Sequence, residues 1–204
     1  MDNTQITAKL ESMKKTRKLL SIVTLIVALV SMAVLLAYNF MPVTYLQSIP
    51  KTDFEQGFEF PGWQMIYYGF GRQFIPIDHL FDPNPITIVG MVGTLIVLIA
   101  LTATYNKGRN LSKAVKEFVM AAFLAYSAVV LGAAIIPVAT TAATSGSVYN
   151  FLNQYLLAPD TIFEPMPYAW LTFGVLLAAA AVKVANGAFL LHQKNFAAKY
   201  APKK

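Results

Sequence analysis

Four long apolar runs, at 19–40, 86–105, 118–138 and 168–192, alternate with polar, aromatic and proline-containing segments. Each run is close to the ~20 residues that an α-helix needs to cross a hydrocarbon core about 30 Å thick. The first two contain no charged residue at all. The pattern predicts an all-α membrane protein, a four-transmembrane-helix bundle with a small extracellular loop domain. The rest of the chain divides into an N-terminal segment (1–18), a first outer loop (41–85), a short connection leading into helix 3 (106–117), a second outer loop (139–167) and a tail (193–204). The first run is longer than the ~7–15 apolar residues of a cleaved signal peptide. It continues as Ala37-Tyr38-Asn39-Phe40-Met41-Pro42, an aromatic end that suits an interfacial anchor, so span 1 is expected to stay in the mature protein.

The connecting segments have patterns of their own. Ile6, Leu10 and Met13 fall at helical spacing among Lys9, Lys14 and Lys15, which fits either an interfacial amphipathic helix or a soluble extension of helix 1. In the first outer loop, Phe54–Phe60 partly alternates apolar with polar residues, Pro61-Gly62 marks a turn, and Trp63–Phe70 is again apolar-rich. A short β-hairpin or two short strands are expected there. Pro83 and Pro85 suit the first turn of the helix that follows. The second outer loop begins with small and polar residues, carries an amphipathic stretch at 148–157, and is expected to pack on the first loop.

Charge then orients the spans. Lys9, Lys14, Lys15, Arg17 and Lys18 precede span 1; Lys107, Arg109, Lys113 and Lys116 lie between spans 2 and 3; Lys194, Lys199, Lys203 and Lys204 follow span 4. The other two connections hold only Lys51 and Arg72, against Asp53, Glu55, Glu59, Asp78, Asp82, Asp160 and Glu164. By the positive-inside rule both termini and the middle connection are cytoplasmic, in a multi-pass protein of the plasma membrane. The net charge of +6 is thus a topology signal and a surface for anionic lipids, and no nucleic-acid partner is expected. A mean hydropathy of +0.54 with 56% hydrophobic residues fits the membrane class and leaves no room for a separate soluble enzyme domain. The chain has no cysteine, which excludes disulfides, thiolate metal sites and thiol redox chemistry.

Candidate chemistry is sparse. Lys183 is a charge inside span 4, and such residues are paired, water-exposed or snorkelling. Glu117, at the inner end of helix 3, is the acidic residue it is expected to meet. The pair reads either as a polar path or as a structural clasp, with Asn186 and His192 able to extend a polar strip. Asp78-His79-Leu80-Phe81-Asp82 gathers three possible metal ligands, but no second motif accompanies it, so a polar loop capping a helix is expected and no metal or other cofactor. Phe60, Trp63, Tyr67, Tyr68 and Phe70 form either a compact loop core or a partner-facing patch. Small residues that let membrane helices approach closely recur as Gly90 and Gly93 in span 2, Ala125, Ala128 and Gly132 in span 3, and Gly174, Ala178 and Ala181 in span 4. No Ser/His/Asp set, phosphate-binding glycine loop, pair of intramembrane carboxylates or internal repeat is present.

The run Phe60-Pro61-Gly62-Trp63-Gln64-Met65-Ile66-Tyr67-Tyr68-Gly69-Phe70, followed by Asp82-Pro83-Asn84-Pro85 and a glycine-containing span 2, resembles small uncharacterised tetraspan proteins of Gram-positive bacteria. The layout also resembles claudin-type tetraspans, with inner termini, a large first outer loop of β character and a smaller second one. Gly62-Trp63 is the part of the claudin loop signature present, and that family's paired loop cysteines are absent. The resemblance implies shared architecture. The resulting expectation is a non-enzymatic accessory or scaffold subunit that binds other integral membrane proteins or itself. The alternatives are a transporter or channel subunit with Lys183 and Glu117 on a polar path, and a membrane enzyme acting on lipid at the outer face.

Overall fold

A computed structural model describes residues 3–46, 58–63, 88–105, 107, 110–133 and 163–200. Four helices and a small sheet make up these residues: α1 (Asn3–Tyr38), β1 (Pro42–Leu46), β2 (Phe58–Pro61), α2 (Val89–Ala103), α3 (Asn110–Ala133), β3 (Phe163–Pro165) and α4 (Pro167–Tyr200). Three helical segments, Thr4–Tyr38, Leu111–Leu131 and Pro167–Tyr200, are long and apolar enough to cross a membrane. The fourth, α2, is a shorter apolar helix, and residues 64–87 before it lie outside the described residues.

α1 runs unbroken through 36 residues because no glycine or proline interrupts it. It ends where Asn39 turns its side-chain amide back to the Leu35 carbonyl at 3.0 Å and Pro42 forbids continuation. The polar segment before span 1 is therefore an extension of helix 1, projecting roughly 24 Å beyond Leu19 by helix rise. α4 matches it at the same end, continuing past His192 to Tyr200. There the Lys9 ammonium lies 4.9 Å from the Phe196 ring centroid, and Met13 and Gln193 are buried.

Burial follows one spacing rule in every helix. In α4 the buried positions include Ala169, Thr172, Leu176, Ala179, Lys183, Asn186, Leu190 and Gln193, alternating steps of three and four. α3 repeats it with Ala114, Glu117, Ala121, Leu124, Ala128 and Leu131, and α1 with Thr24, Ala28, Ser31, Leu35 and Tyr38. Such a 3.5-residue period keeps one stripe facing its neighbours, as in left-handed bundles. α3 and α4 share the most extensive contact, and α1 packs on α4. The opposite faces carry exposed Leu19, Ile22, Ile26, Leu29, Val115, Val129, Leu171 and Val184, an apolar belt suited to lipid rather than water.

The small residues Gly174, Ala178 and Ala181 of span 4 do not face the other helices of this bundle. All three are exposed, and a Cβ at Gly174 would meet nothing within 4 Å. The inward small residues are instead Ala169, Ala179, Ala180 and Gly187. A Cβ at Gly187 would lie 3.0 Å from the Phe118 ring, so this glycine sets how closely α3 and α4 approach. Ala128 is buried and Ala125 partly so, and Gly132 lies in the last turn of α3. In α2, Gly90 is buried and Gly93 half-buried, both within an initial π-helical turn, Val89–Gly93. The hydroxyl of Ser127 bonds to the Gly90 carbonyl and reaches Thr94 Oγ1 at 2.8 Å, while Thr94 donates to the Phe123 carbonyl at 3.1 Å. These bonds lock α2 to α3 where the helix winding changes.

The sheet has the order β2-β1-β3, with β1 antiparallel to both neighbours; Tyr45 stands opposite Glu59 on one side and Glu164 on the other. The strand expected at 54–60 is described at Phe58–Pro61, where it pairs with β1 and leads into the Pro61-Gly62 turn; residues 64–70 beyond it lie outside the described residues. That turn runs beside the end of α1, with Gly62 N–H donating to the Met41 carbonyl and Trp63 N–H to the Asn39 carbonyl. A side chain at Gly62 would strike the Tyr38 carbonyl and ring, which explains glycine there. β3 brings the end of the second outer loop onto the first.

The contrast between two glycines of α4 is testable. Gly187→Leu is expected to destabilise the protein by about 1–3 kcal/mol by overpacking against Phe118. Gly174→Leu is expected to stay within about 0.5 kcal/mol of the parent. Reversible unfolding in mixed detergent micelles measures both; equal stabilities for the two variants would contradict the packing described.

Candidate functional site

The 3.5-residue stripes carry buried charge at one level, where polar groups from α1, α3, α4 and the end of α2 converge. α4 brings Lys183 and, one turn on, Asn186; α3 brings Glu117; α1 brings Thr24; Tyr105 follows the C-terminal end of α2. Lys183 is 2% exposed and Glu117 fully buried, and the Lys183 ammonium lies 3.3 Å from Glu117 Oε2. Lys183 also donates to the Thr24 carbonyl at 2.9 Å. The Asn186 amide donates to Glu117 Oε1 at 2.9 Å and to the Tyr105 hydroxyl at 3.2 Å. One ammonium and one carboxylate thus share a site closed by three neutral groups.

Each element places its group for a local reason. Lys183 and Asn186 are three apart, the spacing that puts side chains on one helix face. Thr24 keeps its hydroxyl on the Ser21 carbonyl of its own helix, at 3.3 Å, so its backbone oxygen is what faces Lys183. The neighbouring Lys116 stays out of the cluster. Its ammonium caps the end of α2, donating to the Thr104 carbonyl at 2.5 Å, Thr104 Oγ1 at 3.3 Å and the Lys107 carbonyl at 3.1 Å. Those carbonyls are the unpaired acceptors that every helix C-terminus leaves.

Glu117 Oε2 faces Lys183 without forming a well-aligned hydrogen bond, so the carboxylate keeps an unfilled acceptor. Beside it lies a cavity of about 70 Å³, lined by Ser21, Thr24, Thr102, Tyr105 and Lys183 and closed by Leu25 and Met120. Its size and the polar groups of its mixed lining suit a few water molecules. The arrangement contains no nucleophile set against a base. It can neutralise two charges inside the bundle, fix the register of four helices, and present an ammonium and a hydroxyl to a small pocket.

Other expected groups fall elsewhere. His192 is exposed, near the Phe196 ring at 6.5 Å, and does not extend the polar strip. Trp63 is half-buried beside the end of α1, and Phe60 lies in β2. Tyr67, Tyr68 and Phe70, with the Asp78-His79-Asp82 cluster, lie outside the described residues. Among the described residues no group of three or more His, Asp or Glu side chains could hold a metal ion. Thr24 and Tyr105 are the members that sequence reading missed as partners. Thr24 shares the 3.5-residue spacing of Ala28 and Ser31, which marks it as inward-facing but not what it faces.

Removing one charge of a buried pair leaves the other uncompensated, which costs about 3–5 kcal/mol. Glu117→Gln and Lys183→Met are each expected to destabilise the protein by that order, and the double variant to recover most of the loss. A double-mutant cycle on unfolding free energies checks this; additive losses would mean that the two groups are energetically independent.

No family model, no curated protein and no solved structure matches the chain, so what it does has to be read from its own residues.

Proposed function

We propose that the chain is a four-pass plasma-membrane protein with cytoplasmic termini. It acts without catalysis, as an accessory or scaffold subunit that binds other integral membrane proteins or a second copy of itself. The tetraspan resemblance belongs to this proposal, as does the reading of α2 with the residues before it as a full span. The observation that carries the reading is the outward face of α4. Gly174, Ala178, Ala181, Ala185 and Ala188 are all exposed, in steps of four and three, on the helix whose inward stripe is already filled. A small-residue line of that spacing lets a second membrane helix approach closely, where van der Waals contact drives association. The charges inside the bundle meanwhile neutralise each other and need no external partner.

A second reading is supported by the cavity beside Lys183, which has polar groups in its lining and lies among all four helices. A transporter or channel subunit would use it as part of a path across the inner half of the membrane.

Affinity isolation of the tagged full chain from its own membrane, followed by native mass measurement, separates the readings. The scaffold reading expects a stoichiometric partner or a homo-oligomer, lost in Ala178→Trp/Ala181→Trp while monomer stability stays unchanged. A monomer alone, together with ion flux in proteoliposomes abolished by Lys183→Met, would instead establish the transport reading.

A further inference from the structure

A second cluster of charge lies about a turn below the buried pair, where the apolar belt ends. Among the described residues the ion pair is Lys183–Glu117, and Arg17 and Lys113 face no carboxylate within ion-pair distance. Both are half-buried. The Lys113 ammonium stands 5.5 Å from the Tyr105 ring centroid and in the fields of both Arg17 and Lys116. Lys116 makes its three hydrogen bonds to the end of α2, so it adds positive charge there. Three cations therefore converge between α1 and α3 with no anion from the described chain. Within a turn or two begin exposed Leu19 and Ile22 on α1 and Val115 and Val119 on α3.

We propose that Arg17 and Lys113 form a site for the headgroup phosphate of an anionic phospholipid of the cytoplasmic leaflet, with the acyl chains along the exposed apolar side chains above. The guanidinium fork and the ammonium supply charge-assisted donors to phosphate oxygens. The position favours a lipid over a free anion, because Arg17 sits two residues before the apolar run that opens at Leu19. Tyr105 links this site to the buried pair, since its ring supports Lys113 while its hydroxyl accepts from Asn186. The proposal rests on the membrane-spanning reading above, with Leu19 entering the hydrocarbon.

The test uses the purified full chain titrated with dioleoyl phosphatidylglycerol or dioleoyl phosphatidylcholine, with bound lipid counted by native mass spectrometry. The expected result is a preference of roughly tenfold for phosphatidylglycerol, from about 1 kcal/mol per basic residue near an anionic surface. Arg17→Gln/Lys113→Gln is expected to abolish it, and Lys194→Gln/Lys199→Gln, which removes the same charge from exposed positions on α4, to preserve it. Equal loss in the two double variants, absence of preference in the parent, or displacement of the lipid by millimolar inorganic phosphate would each overturn the site. Should the first double variant not fold, Lys113→Gln alone is read in the same way. Carbonate extraction from phosphatidylcholine vesicles tests membrane embedding separately, so a lost preference in an embedded protein counts against the headgroup site alone.

Discussion

The architecture depends on the burial of Lys183 against Glu117. Inside a bilayer, helices gain little from hiding apolar side chains from one another, because lipid tails are equally apolar. Neighbours and register must be set by shape and by polar groups. An ammonium and a carboxylate buried together are tolerable only while they stay paired. Sliding α3 against α4 by one turn would separate them and strand both charges. Thr24 and Asn186 extend the same constraint to α1 and to the end of α2, so one level of the bundle holds all four helices in a single arrangement.

Around that level the two long helices are tied at both ends. β1 follows α1 directly and β3 precedes α4, and the two strands pair in the outer sheet. At the opposite end the extensions of α1 and α4 pack through Met13, Gln193 and the Lys9–Phe196 contact. The ion pair therefore lies between two independent fastenings of the same helices. α2 is held differently, through the Ser127 and Thr94 bonds at its π-helical turn and the Lys116 cap at its C-terminal end.

Much of this could be read from the residues before any contact was known. Lys183 was visible as a charge in an apolar run, and Glu117 as the acidic residue near the same membrane face, so the pair followed from the cost of leaving either alone. Thr24 and Tyr105 were not identified as partners, because a backbone carbonyl and an interfacial tyrosine carry no signal of what they will face across sequence separations of 159 and 81 residues. Which side of span 4 its small residues serve was not legible for a related reason. Ala178–Ala181 is small all round the helix, so composition alone does not say which edge faces inward. The inward edge is marked by the polar positions Thr172, Lys183, Asn186 and Gln193, whose spacing selects one stripe.

By itself the sequence determined the apolar helices, the asymmetry of charge across them, the absence of thiol chemistry and the need of Lys183 for a partner. These follow from local composition, helical period and the energetics of burying charge, none of which needs a neighbour to be specified. The tertiary structure alone decided which face of α4 is filled, that β1 pairs with both β2 and β3, and that Tyr105 joins the buried pair to the basic cluster at Arg17 and Lys113. Each of these is a choice among surfaces that look alike in sequence, and only long-range packing separates them.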